Sequence, residues 1–246
     1  DIRFARDADD LLIVIDENAT TGAVAGSLRL VDAFLSTSSD STLIEHIIFS
    51  DGSILTIEAV MQGLVDAAAT SADDVIAGTP FDDIISGGTG DDVLAGGAGN
   101  DLYRWQHGDG DDRVLEQSSA SSVLDRLELV GVSAAQVSIG QNTEGLLIRI
   151  AESAPGVGDG GDITIEGMFT GPETPYRGTS IGTGIETLQI GADTVLDLGG
   201  IRSRLLQAQA TILDDMLVGS QGNDTFGDGI GDDVLVGDRG SDTYLY

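Results

Sequence analysis

Aspartate recurs at the sixth place of a nine-residue unit: Asp83, Asp92 and Asp101 in residues 78–104, then Asp224, Asp233 and Asp242 in residues 219–245. Glycines fill the places ahead of them: Gly78, Gly87, Gly88, Gly90, Gly96, Gly97 and Gly99 in the first block, and Gly219, Gly222, Gly229, Gly231, Gly237 and Gly240 in the second. Glycine permits positive φ and close backbone approach, so carbonyl and carboxylate oxygens can converge on one point. An oxygen-only set selects a hard cation, and a flexible cage of roughly six or more oxygens suits calcium better than magnesium, which keeps its waters. Other chemistry is thin. With no cysteine there is no disulfide, thiolate metal site or thiol nucleophile. Gly178, Ser180 and Gly182 match a nucleophile elbow, but that motif needs a strand before it and a helix after. Pro172 and Pro175 precede it instead, and only His46 and His107 exist as bases, so it reads as a chance match. Neither histidine has a neighbour at metal-ligand spacing, and there is no HExxH zinc helix or phosphate loop.

Each unit ends in a three-residue strand pointing one large apolar side chain inward: Ile85, Leu94 and Tyr103, then Phe226, Leu235 and Tyr244. In a coil of this period, equivalent turns on one side stack at about the strand spacing of 5 Å. Two carboxylates at that distance repel by roughly 1 kcal/mol in water and about 3 kcal/mol at an effective dielectric near 20. So little apolar burial per ordered turn cannot offset chain entropy and repulsion together, and a bound divalent cation can. Asp82, Asp91 and Asp232, one place earlier, read as solvated rather than ligating.

The elements around these loops follow from the rest of the chain. Its 246 residues are 41% hydrophobic, enough to bury a core, yet 42 acidic side chains face 11 arginines and no lysine, for a net charge of −31. That excludes nucleic acid and anionic membrane as electrostatic partners, and no apolar run is long enough to span a bilayer. Salt-adapted proteins are also acidic, but spread charge would not place aspartate at every sixth position of a glycine-rich repeat. Residues 2–34 align with 137–169 at one constant offset, and after a short insertion the match resumes, with Asp73 and Asp74 on Asp214 and Asp215. The chain is one module written twice.

Short apolar runs at 1–6, 11–15, 27–31, 44–49 and 54–57 read as antiparallel strands, with Asp51 and Gly52 as a hairpin turn. Val60, Met61, Leu64, Val65 and Ala68 fall at helical spacing over 58–69, with a counterpart over 201–210. The fold class is mainly β: parallel β-roll blocks alternating with antiparallel β segments and a short helix, in a duplicated module. The expected divisions are 1–68 and 116–213 for the antiparallel-plus-helix segments, 69–115 for the first roll and 214–246 for the second. Trp105 follows the last full turn of the first block, where its ring could close a narrow roll; a binding role is the second reading.

The nonapeptide Gly-Gly-x-Gly-x-Asp-x-apolar-x closely resembles the haemolysin-type, or RTX, calcium-binding repeat. Residues 44–53, with Phe49, Asp51 and Gly52 between two strands, resemble the related domain that accompanies such repeats. The resemblance implies a right-handed parallel β-roll binding several calcium ions, each held between one turn and the turn two further on. On this chain that pairs Asp83 with Asp101 and Asp224 with Asp242. Asp74 with Asp92 and Asp215 with Asp233 follow in turns that lack the glycines. Gly108, Gly110 and Asp112 form a displaced fifth turn, pairing Asp112 with Asp92, while Pro80 and Phe81 depart from the pattern.

The resemblance further implies a non-catalytic, calcium-dependent folding segment of a secreted bacterial exoprotein, extracellular or on the cell surface. Export would run through a type I secretion apparatus, whose signal would lie beyond Tyr246. The chain has no signal peptide at its start and stops inside a repeat, which reads as a piece of a longer protein. Two alternatives stay open. One is an accessory module of a secreted protease, lipase or polysaccharide epimerase. The other is a carbohydrate-binding or self-association module of an adhesin, against which the 4% aromatic content argues.

Overall fold

The computed structural model describes residues 2–7, 10–15, 26–31, 46–49, 51–116, 124–169, 184–219, 222–227 and 229–245. Strands β1 (Ile2–Asp7), β2 (Asp10–Ile15) and β3 (Gly26–Leu30) form an antiparallel meander. A hairpin follows, β4 (His46–Ile48) and β5 (Ile54–Thr56), turned at Asp51 and Gly52 as the sequence predicts. Its carboxylate Asp51 Oδ1 accepts the Ser53 N–H at 2.9 Å, and Gly52 supplies the required φ of +86°. Helix α1 (Ile57–Ala68) then starts without a break, capped by the Thr56 hydroxyl accepting the Ala59 N–H at 3.3 Å. Its buried face, Ile57, Val60, Met61 and Val65, follows the predicted apolar stripe, of which Leu64 is half-buried and Ala68 exposed. Ile44 and Glu45 lie outside the described residues, as do Gly178, Ser180 and Gly182.

From there the chain coils. Successive short strands β6 (Val75–Ala77), β7 (Ile84–Ile85), β8 (Val93–Ala95), β9 (Leu102–Gln106), β10 (Asp112–Val114) and β11 (Arg126–Val130) alternate between two walls. On one wall β6, β8 and β10 pair in parallel; on the other β7, β9 and β11 do. Strands this short direct one side chain inward per turn, so Ile76, Ile85, Leu94, Tyr103, Val114 and Leu127 stack between the walls, none more than 2% exposed.

The second module completes this roll. After a 3₁₀ turn at Ala134–Gln136 come β12 (Val137–Gln141), β13 (Gly145–Ile150), β14 (Gly161–Glu166), β15 (Thr187–Ile190), β16 (Thr194–Asp197) and α2 (Leu198–Gln209). β14 pairs in parallel with β10, and β15 with β11, so both walls run on across residue 116. Antiparallel strands finish them, giving the orders β12-β13-β14-β10-β8-β6 and β16-β15-β11-β9-β7. A second roll follows α2: β17 (Met216–Val218) pairs with β19 (Val234–Val236), and β18 (Thr225–Gly227) with β20 (Thr243–Leu245). The fold is therefore mainly β, a solenoid of parallel walls with two α-helices among the described residues.

The duplication is structural as well as sequential. Ile2 faces Ile15 as Val137 faces Ile150, and Leu11 faces Leu30 as Leu146 faces Ile165. One core runs from Val65 through both walls to Ile201, Leu205 and Leu206 of α2 and Phe226 of the second roll. Leu11, Ile13, Ile57, Val60 and Met61 form a smaller one in the first module.

Candidate metal centre

Turn loops stack along the edges of the roll, and the sixth-place residues form two ladders. In each rung the backbone N–H of one residue donates to the carboxylate two turns on. On one side Asp74 N donates to Asp92 Oδ1 at 2.8 Å and Asp92 N to Asp112 Oδ1 at 3.0 Å. On the other, Asp83 N donates to Asp101 Oδ1 at 2.9 Å, Asp101 N to Asp125 Oδ1 at 2.8 Å, and Asp125 N to Glu186 Oε2 at 2.7 Å. The second roll repeats this with Asp215 and Asp233 at 2.8 Å and with Asp224 and Asp242 at 3.1 Å. The fifth-place side chains run a ladder of opposite sense: Asp91 N donates to Asp73 Oδ1 at 3.0 Å, Asn100 N to Asp82 Oδ1 at 2.8 Å and Asp232 N to Asp214 Oδ1 at 3.0 Å. Asp82, Asp91 and Asp232 are exposed.

Each receiving carboxylate thus uses one oxygen, whereas Asp74, Asp83 and Asp215 open their ladders and only donate; the second place of the same turn decides what meets Oδ2. Where that place is threonine, the threonine takes it. Thr70, Thr79 and Thr211 each donate N–H and hydroxyl to Oδ2 of Asp74, Asp83 and Asp215, at 2.6–2.9 Å. Where glycine stands instead, at Gly88 and Gly97, no donor replaces the hydroxyl: Asp92 Oδ2 and Asp101 Oδ2 are buried and accept no hydrogen bond. Threonine cannot be used there, because a Cβ on Gly88 or Gly97 would fall 2.2 or 2.7 Å from the carbonyl oxygen of Thr70 or Thr79. The same crowding holds at Gly229 against Thr211 O.

First-place glycines make the remaining room. A Cβ on Gly87, Gly96 or Gly237 would lie 1.9, 2.1 or 2.1 Å from Oδ2 of Asp92, Asp101 or Asp242 in its own turn, and on Gly78 or Gly219 it would meet the carbonyl of Gly96 or Gly237. Fourth-place Gly90, Gly99, Gly110, Gly231 and Gly240 press on the backbone two turns back, at Ala72, Phe81, Gly90, Leu213 and Gly222. Gly108 departs from this: a Cβ there meets nothing within 4 Å.

Burial sets the electrostatics. Asp83, Asp92, Asp101, Asp112 and Asp224 are buried, and Asp74, Asp215, Asp233 and Asp242 half-buried. Desolvation, with repulsion from Asp83 and Asp125, pushes the Asp101 carboxyl up to about 7. Desolvation with Asp92 and Asp109 does the same for Asp112, also to about 7. Asp83 and Asp92 rise for the same first cause. Unpaired buried carboxylates that resist ionisation, with spare oxygens and converging carbonyls, fit a hard divalent cation.

Sequence reasoning missed Asp109, Glu116, Asp125 and Glu186. Asp109 and Glu116 are each 3% exposed and Asp125 2%. A signal was present for two of them. Asp125-Arg126-Leu127 and Glu186-Thr187-Leu188 keep the acid-x-apolar ending of the repeat without its glycines, and Leu127 and Leu188 carry the inward stack onward from Tyr103. Trp105 lies within the core, 1% exposed, its Nε1–H donating to Gly110 O at 3.2 Å, and it does not close an end of the roll, because the wall runs on from it through Leu129 and Ile190. His107 Nδ1 lies 3.2 Å from Asp159 O and its ring packs edge-on to Trp105, a structural position.

Residues 69–103 and 210–244 match the family described as RTX calcium-binding nonapeptide repeat (4 copies). The chain carries RTX calcium-binding repeats. The matched stretches hold Asp83, Asp92, Asp101, Asp224, Asp233 and Asp242, whereas Asp112, Asp125 and Glu186 continue the ladder beyond them. Among solved structures, the extracellular lipase LipA from Serratia marcescens is similar at 18% identity and a TM-score of 0.29, over 72% of this chain. The chain spans 29% of that lipase's length. No curated protein matches. No helix among the described residues is long and apolar enough to cross a membrane.

Proposed function

We propose that this chain is a calcium-dependent folding segment of a secreted, type I-exported exoprotein, extracellular or on the cell surface. The carrying observation is the pair Asp92 Oδ2 and Asp101 Oδ2, buried and without a donor where glycine displaces the threonine of neighbouring turns. In the first roll, Asp83, Asp92, Asp101 and Asp112 hold the ions with loop carbonyls; in the second, Asp224, Asp233 and Asp242 do so. Asp74, Asp83 and Asp215 open their ladders with one oxygen already taken by threonine, so each offers an ion its other oxygen. The glycines of both blocks admit these groups rather than bind through side chains.

Calcium would supply the counter-charge that lets stacked carboxylates ionise and remain buried. Because the unfolded chain has no such cage, binding free energy becomes folding free energy. Calcium is scarce inside cells and plentiful outside, so the chain would stay loose before export and close after it. Far-UV circular dichroism tests this: β structure should rise on adding millimolar calcium and fall with EGTA, and identical spectra in the two conditions would sink the reading.

A further inference from the structure

Beyond the matched repeats, three carboxylates from three parts of the chain meet where the first roll joins the second module. Asp101 comes from the turn before β9, Glu116 from the segment after β10, and Asp125 from the turn before β11. One oxygen of each lies within 4.8 Å of the others, and all three side chains are at least 97% buried, with exposures of 2%, 3% and 2%. Glu116 and Asp125 meet side chain to side chain, a contact that two carboxyl groups make only with a proton or a cation between them. The Tyr103 hydroxyl donates to Glu116 Oε1, and Asp125 Oδ1 takes the Asp101 N–H at 2.8 Å, but no donor reaches Asp101 Oδ2 or Glu116 Oε2. Gly96 shapes the space, since a Cβ there would fall 2.1 Å from Asp101 Oδ2 and 2.6 Å from both Glu116 Oε1 and the Tyr103 hydroxyl. Among the described residues this is the rung where three acidic side chains bring ligand oxygens within 4.8 Å of one another, the third coming from outside the period.

We propose that Asp101, Glu116 and Asp125 form a three-carboxylate calcium site, closed by Glu116 and tighter than the repeat sites, that pins the end of the first roll to the second module. The inference rests on the repeats binding calcium and adds a site that their pattern does not contain. Three oxygen anions, no nitrogen or sulfur and near-complete burial select a hard cation of high charge. Asp125 N–H, bonded to Glu186 Oε2, carries the linkage on to the turn before β15.

The test is calcium binding by the full chain, followed by equilibrium dialysis and calorimetry, for wild type and Glu116→Gln. The isosteric amide should remove one bound ion and weaken the tightest phase by about tenfold or more, leaving the remaining sites unchanged. Unchanged stoichiometry and affinity would overturn the proposal while the repeat reading stands. A wild-type chain that binds no calcium would overturn both. If the variant fails to fold in saturating calcium, europium(III) luminescence of the wild-type chain decides. One equivalent should give a single excitation line from an ion stripped of most of its water, and several lines would show equal sites and refute a tightest one.

Discussion

At the level of single residues, the choice between glycine and threonine in the second place of a turn sets whether a carboxylate is satisfied by the chain or left for an ion. Thr79 holds Asp83 Oδ2, and Gly97 leaves Asp101 Oδ2 bare. The first-place glycine is as strict. Gly96→Ala drives a Cβ into the space of Asp101 Oδ2 and should cost about 1–3 kcal/mol as an overpacking change. A lowered thermal midpoint in saturating calcium and weaker calcium binding would register it. Gly108→Ala is the control: it meets open space, so its cost is confined to a φ of +95°. Equal melting of Gly96→Ala and wild type would show that the carboxylate does not sit where the structure puts it. The aspartates and glycines of these turns are legible in the sequence because their spacing is periodic. Glu116 is not, since it reaches Asp101 only after the chain has turned twice more.

At the level of the stacked turns, the ladders bury carboxyl groups that titrate far above their unfolded range. Asp101 and Asp112 stand at about 7 in the ion-free fold, against about 3.9 in an open chain. A folded value above the unfolded one means that the protonated form is favoured by folding. Its contribution is full below about 4 and is lost as pH rises through about 7. The calcium-stripped chain, loose at pH 8, should therefore regain β structure as pH falls to 5, read by far-UV circular dichroism. With calcium bound the trend should reverse, because protons compete for the same oxygens. A stripped chain whose β structure instead increases with pH would contradict the burial of these groups.

For the whole molecule, the two copies of one module are used differently. β14 is covered by β10, and Ile163 is 1% exposed; at the matching place on β3, Leu28 is 51% exposed. Helix α2 packs its Leu205, fully buried, in the core shared by both rolls. Leu205→Ala should cost about 2–5 kcal/mol and lower the melting of both rolls together. Fluorescence of Trp105, the one tryptophan of the chain, reports the first roll and far-UV dichroism the whole. A Trp105 transition that stays in place while the dichroism shifts would mean that the rolls melt separately. The sequence by itself determined the duplication, the β-roll period, the positions of α1 and α2, and the hard-cation chemistry, because each is written in local spacing. Only tertiary structure decided that the walls run across residue 116, that Asp125 and Glu186 extend the ladder without glycines, and that Glu116 joins Asp101. Those contacts link residues far apart along the chain, and parallel pairing of short strands is specified by the shared core between the walls rather than by any local motif.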